Sequence, residues 1–136
     1  FETYISEQEQ ILQKRLQSKS RFSAVHVRHE IAKLLNDCLG ITRTEEKLIE
    51  GIKSVDYYIS VSEKLIYDID VSPYIGYSLQ PMLLLARAIL TSALSRKETR
   101  GSHVREDYPQ RSDEFALCSV CDYKNGEHHI SYIKED

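Results

Sequence analysis

Along most of this chain, apolar residues recur at the three-and-four spacing of one face of a helix. Near the C terminus the spacing shortens to the alternation of strands. Val27, Ile31, Leu34, Leu35 and Cys38 form a stripe that predicts a helix over about 24–39, with Ser23 as its N-cap and Gly40 as a left-handed stop. Leu48, Ile52, Val55, Ile59, Ile66 and Ile69 predict a second helix over about 45–68. Thr44 caps it, and Glu45 and Glu46 sit in the first turn, where the helix dipole favours acids. The run "DIDVSP" closes it, because a residue before proline avoids helical geometry. Residues 70–78, "DVSPYIGYS", read as a loop, and Pro81 falls in the first turn of a third helix that runs to about Lys97. Leu79, Leu83, Ala86, Leu90, Ala93 and Leu94 give that helix the widest apolar face, so it is expected to be the most buried. Ahead of these, Ile5, Ile11, Leu12 and Leu16 mark a weakly amphipathic helix over about 4–17, which "SKSRFS" interrupts.

The C-terminal pattern is different. "ALCSVCDY" and "HHISYIKE" flank "KNGE", and Asn-Gly between two β-favouring runs is a strong hairpin signal. With Asn125 and Gly126 in the turn, the register pairs Lys124 with Glu127, Tyr123 with His128, Asp122 with His129, Cys121 with Ile130 and Cys118 with Ile133. The expected architecture is mainly α: a three-helix up-down-up bundle with a small C-terminal β-hairpin. The expected organisation is one domain: an N-terminal helical segment (1–22), the bundle (23–98), and a charged loop plus hairpin (99–136).

The 136 residues suit one domain, and 41% hydrophobic with 29% charged residues is ordinary for a globular chain. A net charge of -3 leaves no basic excess for a nucleic-acid footprint. The longest apolar run, "PMLLLARAIL", is broken by Arg87, so no membrane span is expected. Three cysteines point to a reducing compartment rather than a disulfide framework, and the expected location is cytoplasmic. The chain begins with Phe1 and Met82 is its one methionine, so it reads as a domain cut from a longer protein.

Three constellations outside residues 95–115 could carry chemistry. Cys118, Cys121, His128 and His129 are zinc-ligand types, but a C-x-x-C on a strand sends its sulfurs to opposite faces, and Asp122 opposite His129 reads as a cross-strand charge pair. His26 and His29 lie three residues apart on one helix and read as solvated histidines rather than ligands. Tyr57, Tyr58, Tyr67, Tyr74 and Tyr77 read as core and interface packing. The five glycines form no phosphate-cradling pattern.

The densest chemistry is in 95–115. Arg96, Lys97, Arg100, Arg105 and Arg111 balance Glu98, Glu106, Asp107, Asp113 and Glu114. Balanced charge favours a charge-paired structural or interface loop. Anion binding through arginine forks and an ordinary solvated loop are the alternatives.

The run "ALSRKETRGSHVREDYPQRSDEF" resembles the C-terminal signature of the succinate dehydrogenase and fumarate reductase flavoprotein family, to which L-aspartate oxidase is related. Thr99, Ser102 and Ser112 are conservative departures from it. "LLNDCLGITRTEEKLIEGI" is similar to the family's helix, G-x-x-R-x-E-x-x-L turn and following helix, and "MLLLARAILTSAL" to the helix before the signature. Residues 1–20 match no part of that pattern.

The resemblance implies a spectrin-repeat-like bundle whose parent is an FAD-dependent oxidoreductase acting on a dicarboxylate or related acid. It implies that FAD and the catalytic residues belong to preceding domains, so none is assigned here. Arg96, Glu98, Arg100, His103, Arg105, Glu106, Asp107 and Tyr108 take interface and structural roles against the FAD-binding and capping domains, and an iron–sulfur subunit is a further partner. On that basis Arg105→Ala is expected to change the stability of the isolated chain little. The alternative is a stand-alone helical module that binds another protein through the same loop.

Overall fold

The computed structural model describes residues 2–17, 23–62, 64 and 73–134. Among the described residues four helices, α1 (Glu2–Leu16), α2 (Ala24–Leu39), α3 (Glu45–Ser62) and α4 (Pro73–Ser95), precede a 3₁₀ turn (Asp113–Phe115) and the strands β1 (Cys118–Lys124) and β2 (Glu127–Ile133).

Helices α2, α3 and α4 pack mutually into a bundle. Its buried core comprises Ala24, Val27, Ile31 and Cys38 from α2, Leu48 and Val55 from α3, and Leu79, Leu83, Ala86 and Leu90 from α4. These are the apolar stripes of the sequence, aligned because residues three and four apart share a helix face. Gly51 lets α3 approach closely: a Cβ there would meet Cys38 Sγ at 3.0 Å and Leu90 Cδ2 at 3.2 Å. Leu12 of α1 packs against the edge of this core.

The expected N-caps form. Ser23 Oγ accepts the His26 N–H at 3.2 Å, and Thr44 Oγ1 accepts that of Lys47 at 3.4 Å. Gly40 ends α2 differently from expectation: its φ is -50°, not left-handed, and glycine is required because a Cβ would lie 2.9 Å from the Asn36 carbonyl oxygen. Helix α4 opens at Pro73 rather than near Pro81, so much of the expected 70–78 loop is helical. A proline is well suited to the first helical position, where no N–H is needed. Pro81 instead lies inside α4, on its exposed side, where it withholds one helix hydrogen bond. The C-terminal part of the expected 45–68 helix, with Ile66 and Ile69, lies outside the described residues, as does Tyr67. Of the other tyrosines, Tyr57, Tyr74 and Tyr77 are exposed rather than in the core.

By length and composition α4 could cross a membrane. In this fold its apolar face is the centre of the bundle, and Arg87 on it pairs with Asp56 of α3 at 2.6 Å.

Strands β1 and β2 pair antiparallel in the register read from the sequence, from Cys118 opposite Ile133 to Lys124 opposite Glu127. Asn125 and Gly126 both take positive φ, as the tight turn demands. Asp122 faces His129 in the register, but its bonded partner is Lys124 at 3.2 Å. The hairpin lies against α4, tied by Arg87 Nη1 to His128 Nδ1 at 2.9 Å and by Tyr132 Oη to Ser95 Oγ at 2.8 Å.

Candidate functional site

The charged loop folds over the end of the bundle where α4 finishes and α3 begins. Its shape starts with a tight reversal: Arg100 and His103 exchange both backbone hydrogen bonds, at 2.8 and 3.0 Å, around Gly101 with φ 59°. Arg43, in the α2–α3 connection, then pairs with the loop backbone, donating its N–H to Val104 O at 2.9 Å and accepting that of Glu106 at 3.0 Å. Two sequence motifs some sixty residues apart, the G-x-x-R-x-E turn at 40–45 and the loop at 95–111, are thereby joined.

Arg105 is fully buried. Its Nε and Nη2 donate to the two Asp107 carboxylate oxygens at 2.8 and 2.7 Å, and its Nη1 donates to the carbonyls of Ala93, Leu94 and Arg96 at 3.0–3.3 Å. Asp107 Oδ2 also accepts the Glu45 N–H at 2.7 Å. The cation therefore sits on the negative C-terminal end of α4, and the anion on the positive N-terminal end of α3. Each half of the pair complements a helix dipole and satisfies backbone groups that the helices leave open. The Arg105 guanidinium lies 4.9 Å from the Tyr108 ring centroid, and the Tyr108 hydroxyl donates to Glu45 Oε2 at 3.3 Å.

Glu98 anchors a second network and is also fully buried. Oε1 accepts from Arg96 Nη1 at 2.6 Å and Arg100 Nε at 2.8 Å. Oε2 accepts from Arg100 Nη2 at 3.1 Å and the Ser112 N–H at 2.9 Å. Arg96 extends this network to the hairpin, donating to Phe115 O at 2.7 Å, Leu117 O at 2.6 Å and Ser119 Oγ at 2.8 Å. Thr99 braces the Arg105 network: its hydroxyl accepts the Arg105 N–H at 2.9 Å and lies 3.0 Å from Tyr108 O. His103 Nε2 donates to Arg96 O at 3.1 Å, since a carbonyl can only accept.

These partners determine the protonation states. Burial alone would raise the Glu98 pKa, but the hydrogen bonds from Arg100, the Ser112 N–H and Arg96 outweigh it and hold the carboxyl at about 2. The Arg105 fork holds Asp107 at about 2 against a smaller desolvation effect. Burial pushes His103 down, and the cations Arg43, Arg105 and Arg96 add to that. At neutral pH both acids are ionised and the imidazole is neutral with its Nε2–H committed.

Of the eight residues singled out by sequence, Arg96, Glu98 and Arg100 meet in one network, Arg105, Asp107 and Tyr108 in the other, and His103 reaches the shared carbonyl of Arg96. Glu106 gives its backbone N–H to Arg43, while its side chain is exposed. The burial of Glu98 and Arg105 corrects the expectation that they face a missing domain: their partners lie within this chain. Sequence reasoning left Arg43, Glu45, Thr99 and Ser112 out of the site. The G-x-x-R-x-E turn was the available signal for the first two.

The described residues do not fit FAD. The two positive-φ glycines, Gly101 and Gly126, sit in hairpin turns rather than before a helix, and the buried guanidinium of Arg105 is taken up by its own chain. Among the described residues no group of three or more His, Cys, Asp or Glu could hold a metal ion.

Residues 28–135 match the family described as "Fumarate reductase flavoprotein C-term". A fumarate reductase flavoprotein subunit of Helicobacter pylori is 30% identical over 121 residues, covering 83% of this chain and 16% of that protein. A succinate dehydrogenase flavoprotein subunit of Rickettsia bellii is 33% identical over 106 residues, and an L-aspartate oxidase of Pyrococcus furiosus 31% over 96; each match covers 71% of this chain and 17% of the relative. This chain thus spans a small part of the length of its relatives. Among solved structures, Mycobacterium smegmatis Sdh1 in complex with UQ1 shares the fold with a TM-score of 0.86 at 18% identity, over 100% of this chain and 24% of that one. Adenylylsulfate reductase from Archaeoglobus fulgidus does so with 0.80 at 19% identity, over 100% and 25%. Both likenesses extend through α1, the segment for which the sequence pattern found no counterpart. With the turn, the charged loop and the hairpin all inside the matched range, the chain belongs to the family of fumarate reductase flavoprotein C-terminal domains.

Proposed function

We propose that this chain is the C-terminal helical domain of an FAD-dependent oxidoreductase of the succinate dehydrogenase and fumarate reductase type. It packs against FAD-binding and capping domains of the parent polypeptide and performs no chemistry alone. The observation that carries the reading is the loop itself: the family signature clamps helix ends, with Glu98 and Asp107 ionised and its buried guanidinium internally bonded. A side-chain set so committed supports a structural module whose cofactor and dicarboxylate substrate are handled elsewhere. An iron–sulfur subunit as a further partner, and a cytoplasmic location, belong to the same proposal.

FAD titrated into the purified chain tests it, followed by flavin fluorescence and by dye reduction with succinate. Unquenched flavin and no dye reduction are expected. A stoichiometric yellow complex, or turnover, would overturn the proposal.

A further inference from the structure

Next to the clamp lies a groove of about 270 Å³, bounded by α2, α4, the loop and the hairpin. It is lined by Leu39, Arg43, Ile89, Ser92, Ala93, Arg96, Ser102, His103 and Ser119, and contains no acidic residue. The volume falls below the roughly 300–1,000 Å³ of small-molecule sites and suits one or two side chains of a protein partner. Its two arginines differ. Arg96 is paired with Glu98 at 2.6 Å, a carboxylate it shares with Arg100. Arg43 meets no carboxylate among the described residues: Nη1 donates to Ser102 O at 3.0 Å and Nη2 to Leu39 O at 3.1 Å, while Nε is buried with no partner. A half-buried guanidinium bonded only to carbonyls retains a full positive charge and unused N–H groups. Beside it stands an apolar lip on α4. Ile89 is 44% exposed, and Leu85, one turn earlier on the same face, is 61% exposed. A cation without an anion next to adjoining exposed aliphatics is complementary to a segment carrying a carboxylate beside an apolar side chain.

We infer that this groove, with Leu85 and Ile89 as its lip, is where the rest of the parent polypeptide docks, seating a carboxylate against Arg43. The inference rests on the proposed function, which supplies the partner, and assigns the contact to this face rather than to the buried arginines of the loop. Leu85 and Ile89 are exposed, so glutamate there leaves the core packing untouched while opposing both the apolar contact and the incoming carboxylate.

The test is binding between this chain and the flavin-loaded segment encoded ahead of Phe1, expressed separately, by calorimetry at low and high salt. Wild-type chain is expected to bind, more weakly as salt rises. Leu85→Glu and Ile89→Glu are expected to weaken binding roughly tenfold or more, with the melting of the chain alone unchanged. Tyr74→Glu, at the far end of α4 and 81% exposed, is expected to bind like wild type. Arg43→Lys keeps the charge but loses the fork, and is expected to retain most of the salt dependence. If wild type binds and both glutamate variants bind equally well, the groove assignment is overturned while the proposed function stands. If no coding segment precedes Phe1, or wild type fails to bind it, the proposed function falls with it. Loss of self-association in Ile89→Glu, without loss of binding to that segment, would make a second copy of this chain the occupant and overturn the assignment.

Discussion

Replacing Arg105 with alanine should unfold this chain more readily than any change on the loop surface. The substitution removes the bidentate partner of Asp107 and the donor that closes three carbonyls at the end of α4. Breaking a buried ion pair by deleting one member costs roughly 3–5 kcal/mol. Asp107 is 28% exposed and keeps the Glu45 N–H, so water and that bond recover part of its loss. The lower end, about 3 kcal/mol, is therefore expected. A domain of this size loses roughly 3–4 °C of Tm per kcal/mol, giving a fall of about 10 °C, and the urea midpoint should drop by about 1–2 M. Against a total of about 5–15 kcal/mol the variant should still fold. The assay is urea denaturation at pH 7 followed by helical circular dichroism, for wild type, Arg105→Ala, Asp107→Asn and the double variant. Arg105→Lys should fall between wild type and alanine, since an ammonium keeps the charge but cannot span both oxygens and the carbonyls. A loss below about 1 kcal/mol for Arg105→Ala, or strict additivity of the two single changes, would refute the clamp and restore the view that Arg105 serves an external partner.

Acid should unlock the loop. Glu98 and Asp107 have folded pKa values near 2, below the unfolded 4.5 and 3.8, so their contribution is complete above about pH 5 and disappears as pH falls towards 2. The Glu98 shift corresponds to about 3 kcal/mol, readable as a falling urea midpoint across that window, whereas a flat profile would contradict the assignment. Glu98→Gln leaves Arg96 and Arg100 facing a neutral amide; it should cost about 3 kcal/mol at pH 7 and remove the Glu98 share of that acid profile, leaving the Asp107 share. Leu90→Ala removes a fully buried side chain at the contact with Gly51 and should cost about 2–5 kcal/mol in the same denaturation experiment. Gly126→Ala forces a Cβ into φ 85° and should cost about 1 kcal/mol, with amide-exchange protection falling first in the hairpin.

Much of this architecture was legible in the chain. Apolar stripes at helical spacing located the core faces of α2, α3 and α4, and Asn-Gly placed the hairpin turn with its full register, because both signals are local: a helix face and a strand pair are determined by residues a few positions apart. The family signature was equally legible, as a string of residue types. Local rules misplaced the start of α4, since Pro73 and Pro81 carry the same chemical signature and it is the packing of Ile75, between them, against the bundle core that shows which one opens the helix. Tertiary structure alone decided what the charges are for. A balanced run of arginines and acids is compatible with a solvated loop, an anion site or an interface. The choice depends on where the dipole ends of α3 and α4 lie, and these are brought beside Arg105 and Asp107 by packing contacts remote in sequence. The same long-range closure buries Glu98 and leaves Arg43 without an anion, and no spacing rule along the chain reports the distance between two helix ends.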